Sequence, residues 1–532
     1  MPAPDAAANA TIAQPGGDYN TMPYVSSAFA QSAPARLFGL AQLFGLTPPK
    51  AETASILELG CAMGSNIIPL AARFPEARIV GIDLTPRHVE EGRKRIEALG
   101  LRNIEIRQGD IASLDLAGQS FDCIICHGVY SWVPAAAREA ILRIAGQNLT
   151  PDGVAYVSYN VLPGWHQRKI VRDLMMFHAG DQGPPEQRIA KARWVLDNVA
   201  KITNAGTPYG AKLREEVQQL AGVADYYILG EFLAEENAPC YFRDFNANAE
   251  SQGLAFLCET EIESCLPETY GPEVGQLIRT MSANQLVLLE QYIDFFMGRT
   301  FRQTLLVRAD QAARIGRQIM PERARGLHLS GEAAYDAKAS GQGKHVFSNG
   351  RGQAMTTTSE TVRRAVAQLI GVFPETRTMA ETIRDIAAAG TPADAAAVAD
   401  IEATLFNMVM GGMLKVSSVP VRVGSEQAAR PRAPAPARLD ARMGMGIVTN
   451  LRHEATPLDN VTVLLLPLLD GSTDRARLRE ELAAAIASGR LSMTHNKTKQ
   501  PLTGAALAAA IAEHVDTAIA RLAKAALIEA EG

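Results

Sequence analysis

Acidic residues and glycines lie at the ends of four apolar runs, in a pattern whose chemistry is the binding of an adenosine-bearing ligand. The first run ends at Glu58 and leads into residues 60–64, a turn whose glycines let a ligand approach the backbone. This turn reads G-x-x-x-G, with Ala62 where a dinucleotide fingerprint has its middle glycine. Asp83 closes the second run, where a carboxylate can accept hydrogen bonds from both ribose hydroxyls.

Two further run ends complete this set. Asp110 follows the third run, and its carboxylate can accept the adenine amine while Ile111 covers the ring. The fourth run leads into His127 and Gly128, at the sheet edge where open α/β sheets bind ligands. Spacings of 25, 27 and 17 residues separate Glu58, Asp83, Asp110 and His127. Each feature alone is weak, but their order along the chain indicates one ligand site.

The turn favours S-adenosylmethionine over a dinucleotide. The pyrophosphate of NAD needs a helix N-terminus that it can reach without side chains, and Ala62 and Met63 make that approach poorer. S-adenosylmethionine has no phosphate, and the turn backbone and Glu58 can hold its methionine tail. We therefore predict it as the cofactor. Its predicted contacts are Glu58, Gly60, Cys61, Gly64, Asp83, Leu84, Asp110, Ile111, His127 and Gly128.

A parallel sheet is needed to bring these residues to one edge. Thr85-Pro86 predicts a helix start, a capping hydroxyl followed by proline at the first helical position, and Gly100 suits the helix end. Strand-like runs, with helical stretches between the first four, lie at 55–59, 77–82, 104–108, 121–126 and 154–159. The pattern predicts an α/β fold with a Rossmann-like, doubly wound, mostly parallel sheet, followed by mainly helical α+β accessory domains.

Composition excludes several functional classes. The 532-residue chain has a net charge of −5, which gives no reason to expect binding to nucleic acid or anionic lipid. No apolar run reaches the ~18 residues of a membrane span, and the N-terminus lacks the regions of a secretory signal. Six cysteines in so long a chain indicate reduced thiols, so we expect a cytoplasmic protein. Cys123 and Cys126 form a CxxC without a second ligand pair, so we predict no metal site.

The strand-end residues resemble those of the class I S-adenosylmethionine-dependent methyltransferases over about residues 50–165. That family usually shows E/D-x-G-x-G-x-G, and Ala62 replaces its middle glycine here. Further blocks look like bacterial methyltransferases that carry a methyltransferase regulatory domain. These blocks are CHGVYSWVP (126–134), GVAYVSYNVLPGWHQRKIVRDLM (153–175), ENAPCYFRDF (236–245), QYIDFFMGRTFRQTLL (291–306) and NLRHEATPLDNVTVLLLPLLDG (450–471).

The resemblance implies an activity and a domain order. Some similar members are protein-lysine methyltransferases of bacterial surface proteins, built as a catalytic domain followed by helical dimerisation, middle and C-terminal domains. It therefore implies methyl transfer to nitrogen, first of all to lysine of a protein or peptide substrate, and a homodimer. The predicted segments are a flexible N-terminal arm (1–34), a cofactor-binding catalytic methyltransferase domain (35–167), a helical regulatory or dimerisation region (168–330), a middle domain (331–423), a Pro/Ala linker (424–440) and a C-terminal helical module (441–532).

Three residues are candidates for the transfer step. The protein mainly positions the reactants for an in-line displacement, and a lysine ammonium must first lose its proton. His127 could accept that proton, or it could shape the pocket through a backbone hydrogen bond. Tyr130 and Trp132 could line the path of an aminoalkyl chain, or they could pack against a neighbouring helix. HGVY stands where Asn-Pro-Pro-Tyr serves amide and base nitrogens in related enzymes, so those acceptors are disfavoured.

Two other functions stay open. A methyltransferase for a small metabolite would use the helical region as a lid and dimer interface. A regulatory or scaffold protein that binds S-adenosylmethionine without turnover would use the module after the linker to bind partners. The long chain beyond residue 167 favours a protein acceptor, because a small acceptor rarely needs so large an accessory surface.

Overall fold

The computed structural model describes residues 27–388, 394–494 and 500–530. Its main sheet is built from β1 (Ser55–Leu59), β2 (Arg78–Asp83), β3 (Ile104–Gln108), β4 (Phe121–Cys126), β5 (Leu149–Asn160), β6 (Leu254–Glu259) and β7 (Phe301–Arg308). Within the described residues these seven strands have the order β3-β2-β1-β4-β5-β7-β6. Strands β1 to β5 pair in parallel, and β7 runs antiparallel to both β5 and β6. The predicted doubly wound, mostly parallel sheet is confirmed.

Helices cover both faces of this sheet. They are α1 (Pro34–Leu43), α2 (Ile68–Arg73), α3 (Pro86–Leu99) and α4 (Ala135–Asn148). Leu37 of α1 packs with Ile56 on one face, whereas Ile141 of α4 packs with Ile124 on the other. Helix α3 begins after Thr85 as predicted, although the Thr85 hydroxyl makes no capping bond within the described residues. It ends at Gly100, whose φ of +66° is a conformation that favours glycine.

The sheet extends beyond the segment predicted as the catalytic domain (35–167). Strands β6 and β7 come from the region predicted as helical (168–330), and β7 pairs with β5. A short apolar run between helices cannot be told from a buried helical segment by its pattern, which is why these strands were not predicted. The other elements of this region are α5 (Gly164–Ala179), α6 (Pro185–Ile202), α7 (Pro208–Leu220), α8 (Asp225–Tyr227), a π-helix (Ile228–Phe232), α9 (Phe242–Ser251), α10 (Pro272–Ser282) and α11 (Leu286–Met297).

The segment predicted as a middle domain packs against the α1 face of the sheet, because Leu405 belongs to the same buried cluster as Leu37. Its elements are β9 (Ala334–Tyr335), β10 (His345–Ser348), β11 (Ala354–Thr357), α12 (Glu360–Gly371), α13 (Met379–Ala388), α14 (Ala395–Met410) and β12 (Lys415–Ser417), and β8 (His328–Ser330) lies just before its predicted start at residue 331. Strands β9, β10 and β11 form an antiparallel sheet, and β12 pairs with β8.

The C-terminal module has its own core, centred on residues such as Leu482 and Leu522. It consists of α15 (Ala435–Arg442), β13 (Ile447–Thr449), β14 (Ala455–Pro457), α16 (Asn460–Leu465), α17 (Arg475–Ala487) and α18 (Gly504–Lys524). The predicted linker (424–440) therefore runs into a helix, and Ala433 and Ala437 are buried in this core. Alanine is the strongest helix former and proline is tolerated in a first turn, so Pro/Ala-rich composition alone misled the prediction.

The predicted flexible arm (1–34) falls largely outside the described residues. Its last part, residues 27–34, packs against the sheet domain, with Ala28 and Ser32 buried. No helix in the described part of the chain combines the length and apolar character needed to cross a membrane.

Candidate cofactor and active site

A cavity of about 570 Å³ lies at the carboxyl edge of the sheet. It brings together the ends of strands β1 to β5, as the predicted topology requires. The predicted contacts that line it are Glu58, Gly60, Cys61, Asp83, Leu84, Asp110, Ile111, His127 and Gly128. Trp132, predicted for the acceptor side, lines it too.

Gly64 and Tyr130 are not among the residues that line the cavity. A Cβ atom on Gly64 would lie 2.7 Å from Ile106 Cδ1, so this glycine serves the packing of the turn. The Tyr130 ring is buried edge-on against Tyr159 at 5.8 Å and Phe245 at 5.3 Å. The geometry thus favours a packing role for Tyr130 over the alternative of lining the path of an aminoalkyl chain. One short 3₁₀ turn carries both Tyr130 and Trp132, and sequence alone does not show which ring faces inward.

The backbone N–H groups of residues 60–62 already donate hydrogen bonds to acceptors within the protein. The N–H groups of Gly60 and Cys61 donate to the Ile82 carbonyl at 2.8 and 3.0 Å. The Ala62 N–H donates to Asp83 Oδ2 at 2.8 Å, and Ala62 adopts a φ of +46°. We expected the turn backbone to hold the methionine tail, but these three donors are already used. These N–H groups are equally unavailable to a pyrophosphate, which agrees with a ligand that has no phosphate.

Glu58 supplies a buried acceptor to the cavity. Its Oε1 accepts a hydrogen bond from Asn66 Nδ2 at 2.8 Å, while Oε2 has no partner among the described residues. Burial raises the pKa of Glu58 to about 8; the Asn66 hydrogen bond opposes the shift and the nearby Asp83 charge adds to it. An unpartnered carboxylate oxygen in a cavity wall fits a cationic group such as the ammonium of S-adenosylmethionine.

The adenosine side of the cavity has fixed carboxylates and open apolar surface. Asp83 Oδ1 accepts from the Thr85 N–H at 2.9 Å and lies 3.2 Å from His88 Nδ1. Asp110 Oδ1 accepts from the Ala112 N–H at 2.9 Å, which holds the turn after β3. Leu84 is 40% exposed in the cavity wall. This part of the cavity suits a ligand whose flat ring packs on the apolar surface and whose polar groups donate hydrogen bonds to the two carboxylates.

His127 is held as a neutral imidazole. Its Nδ1 lies 2.7 Å from the Tyr156 hydroxyl, and the Phe29 ring covers it with 3.7 Å between ring centroids. Burial lowers the pKa of His127 to about 4. The Gly128 N–H donates to Ser158 Oγ at 2.8 Å, which fixes the turn after β4. A weakly basic imidazole that is half-buried in the cavity wall and covered by Phe29 favours the pocket-shaping role over proton acceptance.

The sequence patterns did not predict several of the residues that line the cavity. These are Phe29, Asn66, His88, Arg168, Tyr227, Glu231 and Phe301. Phe29 belongs to the segment predicted as a flexible arm, Asn66 lies two residues after Gly64, and His88 lies on α3. The other four come from segments after β5. A signal existed for Glu231, because it is the one acidic residue within the apolar stretch YYILGEFLA (226–234).

Glu231 gives the acceptor side an acidic group. It lies on the π-helix, an element often found at functional sites, and it lines the same cavity as Trp132 and Trp165. The two indole rings meet edge to face at 5.9 Å. Burial raises the pKa of Glu231 to about 7, with the Arg168 charge opposing. The Arg168 guanidinium itself lies 5.5 Å from the centroid of the Trp165 ring.

Comparisons with known proteins agree with this geometry. Residues 56–153 match a family described as methyltransferase domain, residues 224–308 one described as predicted methyltransferase regulatory domain, and residues 429–527 one described as PKMT, C-terminal winged helix domain. An uncharacterized protein of Rickettsia prowazekii is 30% identical over 495 residues, which cover 90% of this chain and 88% of the relative. The structure of PKMT2 from Rickettsia typhi in complex with AdoHcy superposes with a TM-score of 0.84 at 26% identity, covering 95% of this chain and 100% of that chain.

These matches confirm the predicted activity class and cofactor, and they identify the predicted helical module as a winged helix domain. The chain is an S-adenosylmethionine-dependent methyltransferase, and it belongs to the family whose members join a methyltransferase domain to a methyltransferase regulatory domain and a PKMT C-terminal winged helix domain.

Proposed function

We propose that this enzyme methylates lysine side chains of a protein or peptide substrate. The observation that carries the proposal is the acidic, aromatic-walled side of the cavity, where Glu231 lies with Trp132 and Trp165 beside the cofactor residues. Such a site suits a cationic aminoalkyl chain. The Rickettsia typhi relative, named PKMT2, is by that name a protein lysine methyltransferase, which supports the same acceptor.

In this proposal each strand-end residue binds a different part of the cofactor. Glu58 pairs with the methionine ammonium, and Asp83 accepts from the ribose hydroxyls. Asp110 accepts from the adenine amine, while Leu84 and Ile111 cover the ring. His127 and its Tyr156 partner close the pocket wall. When bound, S-adenosylmethionine supplies an electrophilic methyl group on a sulfonium.

The acceptor residues prepare the amine. Trp132 and Trp165 flank the aminoalkyl chain, and Glu231 takes a proton from the lysine ammonium. The freed amine nitrogen then forms a bond to the methyl carbon as the carbon–sulfur bond breaks, so that the sulfur leaves as a neutral thioether. Because the carboxyl pKa of about 7 is close to neutral pH, Glu231 is better matched to this proton than His127.

Intact-mass spectrometry tests the proposed acceptor. Candidate protein substrates are incubated with the enzyme and S-adenosylmethionine, and steps of one methyl group are expected on lysine. The matched control is the same substrate with its target lysine replaced by arginine, which should stay unmodified. Methyl label that appears only in a small-molecule fraction would replace the lysine proposal by the small-metabolite one, and cofactor binding without any turnover would favour a regulatory role.

The affinity for S-adenosylmethionine is expected to rise with pH because of Glu58. In the free protein the Glu58 carboxyl is protonated below about pH 8, whereas the ligand ammonium favours the carboxylate. Binding therefore releases a proton, and affinity rises by up to about tenfold per pH unit before levelling off above pH 8. Titration calorimetry in buffers of different ionisation enthalpy measures both effects. Glu58→Gln should bind more weakly and lose the slope; a Glu58→Gln protein with an unaltered slope contradicts this role.

We further propose a homodimer formed through the helices after β5. Phe177 of α5 is 90% exposed, and Trp194 and Ile202 of the adjacent α6 are 59% and 85% exposed. Large apolar side chains exposed to this extent are a feature of protein–protein interfaces. Sedimentation equilibrium should give a dimer for the unaltered chain and a monomer for a Phe177→Lys, Ile202→Lys variant. A monomer for the unaltered chain removes this proposal.

A further inference from the structure

The segment 450–454, which begins the NLRHEATPL block, is a rigid turn of the C-terminal module. Asn450 Oδ1 accepts from the backbone N–H groups of Arg452 and Glu454 at 2.8 and 2.9 Å. The Leu451 N–H donates to the Ala526 carbonyl at 2.9 Å, which ties the turn to the end of the module. His453 has a φ of +63°, a conformation that non-glycine residues adopt only when their surroundings hold it. This 450–454 turn is therefore built to present one side chain in a fixed direction.

That side chain enters the sheet domain. His453 is 3% exposed, and its Nε2 lies 2.9 Å from Asn66 Oδ1. Asn66 Nδ2 in turn donates to Glu58 Oε1 at 2.8 Å. The Phe29 N–H also donates to Asn66 Oδ1, at 3.0 Å, so this atom is the amide oxygen. Because an amide oxygen only accepts, the His453 Nε2 carries the proton, and His453 and Phe29 together hold the direction of the Asn66 amide. A chain of two hydrogen bonds thus runs from the C-terminal module to the carboxylate proposed for the cofactor ammonium.

A second contact reaches the same loop from its other side. Asp440 Oδ1 of α15 lies 2.5 Å from Arg95 Nη2 of α3, and both side chains are at least 95% buried. Arg95 Nη1 donates to Ser65 Oγ at 2.9 Å and approaches the Met63 carbonyl at 3.4 Å. Breaking a buried ion pair from one side leaves an uncompensated charge, so this contact holds its geometry strongly. The C-terminal module therefore reaches residues 60–66 at two points, directly at Asn66 and through Arg95 at Met63 and Ser65.

We infer that the winged helix module is a working part of the cofactor site, in which His453 and Asp440 act as positioning residues that hold residues 60–66 and, through Asn66, Glu58. The inference rests on the proposed role of Glu58 and gives the NLRHEA sequence a task that methyl transfer itself does not require. It also explains why so remote a segment carries a strained, buried histidine. The substrate side of the cavity does not enter this chain of contacts.

Replacement of His453 in the full-length protein tests the inference. His453→Leu removes the donor, and His453→Asn shortens its reach while keeping a polar side chain. Both are expected to weaken binding of S-adenosylmethionine by about tenfold, with the KM of the protein substrate unchanged. His453→Gln, which keeps an N–H donor, should recover part of the loss. The matched control is His514→Leu, the same change at an exposed site of the same module, which should bind like the unaltered protein.

The pH profile of cofactor binding separates a positioning role of His453 from a merely structural one. The Asn66 hydrogen bond opposes the rise in the Glu58 pKa, so its loss should move the pH profile of cofactor binding to higher pH. Thermal unfolding checks that each variant is folded. A folded His453→Leu or His453→Asn protein with unaltered cofactor affinity overturns the inference. If Glu58→Gln also binds normally, the proposed Glu58 role fails; if Glu58→Gln is weakened and His453 variants are not, the inference alone fails.

Discussion

Gly60→Val is expected to abolish binding of S-adenosylmethionine. Gly60 adopts a φ of +75°, which costs a residue with a Cβ atom about 1–2 kcal/mol. A Cβ atom there would also lie 2.4 Å from Val129 Cγ2, and Val129 lines the cavity. The valine must therefore displace the turn after β4 or the loop after β1, both of which line the cavity proposed for the cofactor. Calorimetry should show a loss of affinity beyond about a hundredfold, which exceeds about 2.7 kcal/mol.

Ala62→Gly is the matched control for Gly60→Val. Ala62 already has a φ of +46°, which glycine adopts without strain, and the N–H that donates to Asp83 is kept. Cofactor affinity is therefore expected to stay within about twofold of the unaltered protein. Thermal unfolding of both variants separates a blocked pocket from a misfolded chain. Tight cofactor binding by a folded Gly60→Val protein, or an equally large loss in Ala62→Gly, would contradict the account of this turn.

The strand-end part of the cavity, which we propose as the cofactor side, was predictable in its position because local sequence and sheet geometry decide it. Glu58, Asp83 and Asp110 each lie at or just after the carboxyl end of a strand, and parallel pairing brings these ends to one edge. The runs at 55–59, 104–108 and 121–126 coincide with β1, β3 and β4 in both bounds. No long-range information was needed, since a strand and the residue after it are fixed by neighbours in the chain.

The proposed acceptor half, and the contacts that distant parts of the chain make with the proposed cofactor half, were not predictable for the opposite reason. Glu231 and Arg168 come from the insertion between β5 and β6, and Phe29 comes from before β1. His453 reaches the sheet domain from 387 residues beyond Asn66. Their places depend on how separately folded elements pack, and no spacing rule relates residues across such distances. The predicted linker failed in the same way, because burial of Ala433 and Ala437 is a property of the folded module.

The proposed cofactor side and the proposed acceptor side of the cavity also differ in the contacts that hold their side chains in place. The carboxylates of Asp83 and Asp110 each accept a hydrogen bond from a backbone N–H group two residues further along the chain. Within the described part of the chain Glu231 accepts no such local hydrogen bond, and it lies on the π-helix in the same cavity wall as Trp165 and Arg168. The proposed cofactor side is therefore held largely by local backbone contacts, whereas the proposed acceptor side is held by packing between segments that are distant in the chain.

Glu231→Gln is expected to lower kcat by about a hundredfold to ten-thousandfold while leaving the affinity for S-adenosylmethionine unchanged. Glutamine keeps the size of the side chain but cannot take a proton from the lysine ammonium. In the unaltered enzyme the carboxyl has a pKa of about 7, so kcat should fall as the pH drops below 7 and Glu231 becomes protonated. In the variant this inflection should be absent. Single-turnover methylation across pH 6 to 9, roughly the range that spans this pKa, measures both effects.

Glu235→Gln is the matched control for this prediction, because Glu235 lies four residues on in the same segment and is exposed. It should leave kcat and its pH profile unaltered. A folded Glu231→Gln enzyme with normal kcat would assign the proton to bulk water or to another group, and the lysine would then be selected by the indole walls alone. A loss confined to KM would instead make Glu231 a binding residue for the ammonium, since an interaction made equally in the ground state and the transition state changes KM without changing kcat.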